Sequence, residues 1–96
     1  MNKHTPGPWR VEFHDTGQYT AHIQGEYPNK TIRTIAVILP YAGEGESRAN
    51  ANLIASAPEL LEACKEAERY LRFNKGNGSV AYDKVAQAIA KAERGN

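Results

Sequence analysis

His14 and His22 flank a turn signal at Asp15-Thr16-Gly17, and apolar–polar alternation on both sides puts the two imidazoles on the same outward side of a hairpin. A pair so placed could grip a metal ion. A zinc centre takes three or four protein ligands, however, and no carboxylate–histidine spacing supplies the rest. The sequence therefore predicts two solvated histidines on a polar face and no metal site. Cys64, the lone cysteine, falls on the apolar stripe of a helix, where a free thiol behaves as a small hydrophobe. No serine occupies a Gly-x-Ser-x-Gly elbow. No catalytic residue and no cofactor are predicted, and an enzyme is disfavoured.

Binding chemistry is easier to place. Gly43-Glu44-Gly45-Glu46-Ser47 precedes a helix, a position that suits phosphates. It lacks the lysine of a P-loop, and its two glutamates would repel an anion. Arg48, in the predicted first turn, opposes the helix dipole and calls for an anionic partner, either a nearby glutamate or a ligand. Trp9 beside Arg10 reads first as a core anchor and second as a stacking platform with a cation next to it. Trp9, Arg10, Tyr41, Arg48 and Asn52 make up the candidate ligand-binding set. Asparagine is a mediocre helix former, so Asn50 or Asn52 is also expected to turn inward and satisfy backbone groups.

These side chains must be positioned by a simple order of elements. His4-Thr5-Pro6-Gly7-Pro8 is an irregular lead-in, because its prolines fix φ and remove donors. Trp9 to His14 alternates strictly, with Trp9, Val11 and Phe13 inward. Tyr19 to Ile23 alternates again, giving a hairpin. After a turn cluster at Glu26–Lys30, Ile32 to Leu39 is a third strand rich in β-branched residues. Its end is apolar on both sides, which predicts a central or helix-covered strand.

The second half is helical. Ser47 is the predicted cap of a helix from Arg48 to Ala55, with Leu53, Ile54 and Ala57 on its buried face. Ser56-Ala57-Pro58-Glu59 reads as a capping box opening a helix to Phe73, striped by Leu60, Cys64, Ala67 and Leu71 and widened by Leu61 and Ala63. Asn74–Gly78 ends it. Ser79 caps a third helix, with Val85, Ile89 and Ala92 in line, and Gly95 stops it. The fold class is thus α+β: a three-stranded antiparallel meander followed by two to three helices packed on one face. One domain is expected over residues 1–96, with a lead-in at 1–8, the meander at 9–39 and the helical half at 47–94.

Composition narrows the function classes. With 12 basic and 11 acidic residues the net charge is +1, which disfavours a nonspecific nucleic-acid binder or an acidic DNA mimic. One cysteine makes no internal disulfide. The start has no apolar run like a signal peptide, and Ile35 to Leu39 is far too short to span a membrane. A chain of 96 residues has little room for an enclosed cavity, so a sizeable ligand pocket is more easily built between subunits.

Two segments carry a resemblance. His4-Thr5-Pro6-Gly7-Pro8-Trp9 and the run from Ala49-Asn50-Ala51-Asn52-Leu53-Ile54-Ala55 through Ser56-Ala57-Pro58-Glu59-Leu60-Leu61-Glu62-Ala63 resemble a family of small proteins encoded by tailed bacteriophages and prophages. The resemblance implies an accessory protein made in the host bacterial cytoplasm, and it implies no activity. Three readings follow. The first is an anti-defence protein that, as a homo-oligomer, sequesters a host nucleotide-derived signal, with arginines for phosphate and an aromatic ring for the base. The second is an inhibitor or adaptor that binds a host protein. The third is a weak nucleic-acid binder.

Overall fold

In a computed structural model, residues 4–14, 21–40, 43–74 and 79–95 are described. The elements are β1 (Trp9–Phe13), β2 (Ala21–Glu26), β3 (Ile32–Ile38), α1 (Glu44–Ala55), α2 (Ala57–Phe73) and α3 (Val80–Arg94). The three strands form one antiparallel sheet in the order β1-β2-β3, so the α+β class and the meander are as the sequence predicts. The chain forms two compact units, Met1–Pro58 and Glu59–Asn96.

In the first unit, β2 is the central strand. This corrects the expectation for β3, which lies at the edge, with Ile32 and Val37 about half exposed. The apolar run of β3 misleads because the core is fixed by small and β-branched residues of β2. Ala21 and Ile23 are fully buried there, and Gly25 is buried beside them. The β2–β3 ladder is interrupted between Ile23 and Gln24: Ile23 faces Ala36 and Gln24 faces Thr34. Ile35 is the extra residue of this bulge, and it packs against the core together with Ala36 and Ile38.

Pro28 and Asn29 close the β2–β3 hairpin through the bond from Lys30 N–H to Tyr27 C=O, at 2.8 Å. Lys30 then takes a left-handed conformation, with φ of 71°. A type I turn followed by one left-handed residue is a common three-residue hairpin loop.

α1 begins at Glu44, one turn before the helix start predicted from Ser47. Gly43, at φ 87°, turns the chain into the helix, and its carbonyl accepts the first helical bond from Ser47 N–H at 2.9 Å. Glu44 and Glu46 in the first turn suit the dipole. Ser47 is therefore inside the helix and buried, its hydroxyl donating to Leu39 C=O at 3.3 Å.

The face of α1 laid on the sheet is Ser47, Ala51 and Ala55, four residues apart. Small side chains bring the helix close to the strands. Leu53, 63% exposed, is not on that face, contrary to expectation, and Ile54, three residues from Ala51, only flanks it. The capping box at Ser56 is also corrected. Ser56 has helical φ and ψ, −83° and −2°, and its hydroxyl donates back to Asn52 C=O at 2.9 Å. A single residue between two helices serves as the end of the first.

In the second unit, the half-buried side of α2 carries Leu61, Cys64, Lys65, Glu68 and Leu71, while Leu60 is exposed. Tyr82, Val85 and Ile89 of α3 are half-buried, and Ala92 is exposed. Two polar contacts join these helices. Lys65 Nζ lies 2.6 Å from Glu93 Oε2, and Tyr82 O–H donates to Glu68 Oε2 at 3.2 Å. Ser79 caps α3 by accepting from Tyr82 N–H at 3.0 Å, and Gly95 ends it at φ 77°. No described helix is long and apolar enough to cross a membrane.

Candidate functional site

The sheet has one face toward α1 and one facing away. Alternation puts Trp9, Val11 and Phe13 on the α1 side and Arg10 and Glu12 on the outer side, and β2 follows the same rule. Trp9 is anchored by the lead-in. Its indole N–H donates to Thr5 C=O at 3.0 Å, and the His4 ring meets it edge-on at 6.1 Å between centroids. Thr5 also hydrogen-bonds the Tyr27 hydroxyl, at 3.3 Å. The proline-rich start and its tryptophan are therefore a self-closing clasp over one end of the sheet.

Arg10 lies on the opposite face from Trp9, so the two do not converge. It sits in an open groove of about 410 Å³ between the lead-in and the β2–β3 turn, walled by Pro8, Tyr27 and Pro28. Gln24, directly across the ladder from Arg10, and Glu26 form its floor, and Lys30 closes the end. Arg10 Nη1 and Lys30 Nζ both approach Glu26, at 3.7 and 3.6 Å. With side chains 57% and 85% exposed, neither cation is held firmly. On the other side of the same turn, Arg33 stacks over the Tyr27 ring at 5.9 Å. Gln24, Glu26, Tyr27 and Lys30 are absent from the predicted set. The signal that could have found them is the hairpin register, which brings β2 and its turn to Arg10.

The other predicted residues lie elsewhere. Arg48 has its anionic partner within the helix: Nε is 3.3 Å from Glu44 Oε1, and the guanidinium covers the Phe13 ring at 4.3 Å. Asn50 and Asn52 are both exposed on α1, against the expectation that one turns inward. The Asn52 backbone carbonyl serves the end of the helix by accepting from Ser56. Tyr41 lies outside the described residues. Cys64 is half-buried on α2.

Further along the outer face, His14 and His22 do meet. His14 Nε2 lies 3.1 Å from His22 Nδ1 and 3.2 Å from Glu12 Oε1. Glu12 pairs with His22 across the ladder and shares a face with His14 two residues on. Alternation alone puts Glu12 beside His14 on this face, and the β1–β2 register adds His22 opposite Glu12.

Over residues 1–96 the chain matches the family model described as Salmonella phage P22 protein Y8K6. A Bacillus subtilis (strain 168) protein, described as phage-like element PBSX protein XkdD, is 38% identical over 96 residues, covering 93% of this chain and 79% of its own length. No solved structure matches. The chain thus belongs to the phage P22 Y8K6 family.

Proposed function

We propose that this phage protein is a non-enzymatic accessory factor that binds and sequesters a host nucleotide-derived signalling molecule in the host cytoplasm. The observation that carries the reading is the meeting of Arg10 and Lys30 at a groove walled by Tyr27. A phosphate can draw both exposed cations away from Glu26, since two positive charges against one carboxylate leave the site net attractive to an anion. Gln24 offers a donor and an acceptor, and the Tyr27 ring offers a surface for a base. The volume is within the usual range for small-ligand sites, and the open shape suits a pocket completed by a second copy of the chain.

The test is a calorimetric titration with cyclic dinucleotides and ADP-ribose derivatives, using the unaltered chain and Arg10→Ala. Removing one charge-assisted contact of about 1.5–3 kcal/mol should weaken binding by roughly 10–100-fold. Unchanged affinity in Arg10→Ala would exclude the groove.

A second reading, a protein-binding adaptor, is favoured by the second unit. No described residue of Glu59–Asn96 is buried, and Leu60, Tyr70, Phe73 and Val80 are exposed. Helices so thinly covered gain from a partner, either a host protein or another copy of the chain. Capture of one defined host protein, with no bound nucleotide, would favour this reading over sequestration.

A further inference from the structure

We propose that Glu12, His14 and His22 form a site for a divalent first-row transition ion, with zinc the foremost candidate, on the outer face of the sheet. One ligand atom from each of the three side chains can be chosen so that all lie within 4.8 Å of one another. His14 Nε2 is 3.1 Å from His22 Nδ1 and 3.2 Å from Glu12 Oε1. Ligand atoms bound about 2.0–2.2 Å from a tetrahedral zinc stand roughly 3.3–3.6 Å apart, so the two contacts of His14 need little movement, and rotation of the exposed Glu12 side chain can adjust the remaining one.

The donor set suits this choice. Two imidazoles and one carboxylate fit zinc and its neighbours, whereas magnesium and calcium prefer all-oxygen shells. The backbone prepares the site. Glu12 and His22 are opposite one another in the β1–β2 ladder, and His14 follows Glu12 on the same face. Both imidazoles are half-buried, which limits the rotamer freedom lost on binding. Three protein ligands leave a fourth position open to water or to an anionic group of a bound molecule. The two imidazoles share a hydrogen bond, which the ion would replace.

The experiment is isothermal titration of the full chain with zinc chloride, carried out in a Cys64→Ser background to remove the thiol as a competing ligand. One zinc per chain is expected. A His14→Ala/His22→Ala double variant should bind at least about 100-fold more weakly, since even outer-shell changes cost 10–100-fold. No zinc uptake, or uptake that survives the double change, would overturn the site. Should that variant fail to fold, Glu12→Gln decides the matter at an exposed position. Roughly tenfold weaker binding supports the site, and unchanged affinity overturns it.

Discussion

The Cγ2 methyl of Thr5 lies 2.8 Å from the point where a Cβ on Gly25 would stand. Ile35 Cδ1 and Trp9 Cδ1 crowd the same point, at 3.1 and 3.4 Å. Gly25 is therefore the socket into which the lead-in closes, and its lack of a side chain lets Thr5 hold both Trp9 and Tyr27. Gly25→Ala is expected to destabilise the first unit by about 1–3 kcal/mol through overpacking. Thr5→Ser removes the methyl and keeps the hydroxyl, so the double variant should recover most of that loss. Urea unfolding followed by the fluorescence of Trp9, the lone tryptophan, reports on this unit. An additive double variant would show that Thr5 does not set the limit.

Packing of α1 makes an inverted prediction about size. Ala51 is fully buried against the sheet, while Leu53 is 63% exposed. Ala51→Leu should cost about 1–3 kcal/mol, because the helix must lift from the strands. Leu53→Ala should stay within about 0.5 kcal/mol, as for other exposed positions. The same fluorescence assay separates the two, and a larger loss at Leu53 would contradict the packing.

The second unit should respond to pH through Lys65 and Glu93. The hydrogen bond that Lys65 donates to Glu93 holds the carboxyl below its ordinary 4.5 and raises the Lys65 ammonium above its ordinary 10.5. A lowered carboxyl pKa contributes stability above pH 4.5 that is lost as pH falls through the folded value. A raised ammonium pKa contributes below pH 10.5 and is lost as pH rises through the folded value. The melting-temperature advantage of the unaltered chain over Glu93→Gln, read by helical circular dichroism, should be steady near neutrality and shrink below about pH 4.5. An advantage that persists unchanged into acid would show that the pair does not couple to folding.

The sequence made the element order legible because alternation, turn residues and caps are local signals. Ser79 and Gly95 bound α3 as predicted, and period two alone puts His14 and His22 on one face of the sheet, where they meet. What stayed hidden depends on distance between elements. Alanine carries little hydrophobic signal, so the buried row Ser47-Ala51-Ala55 gave way in prediction to the larger Leu53 and Ile54. The edge position of β3 is a matter of pairing, which an apolar run does not encode. The groove residues around Arg10 depend on cross-strand register, which the sequence shows only once the turn is known. Arg48 does meet a carboxylate, that of Glu44 one turn before it, but the helix begins at Glu44, so Arg48 is not in the first turn as its sequence position suggests.

The most direct test of ligand sequestration is native mass spectrometry of the purified chain, alone and mixed with a pool of cyclic nucleotides and ADP-ribose derivatives. The expected result is a discrete oligomer that gains a stoichiometric ligand mass, kept in Arg48→Ala, where the guanidinium is held by Glu44 and Phe13, and lost in Arg10→Ala. A chain that gains no mass from the pool, or gains it equally in Arg10→Ala, would contradict sequestration in the groove.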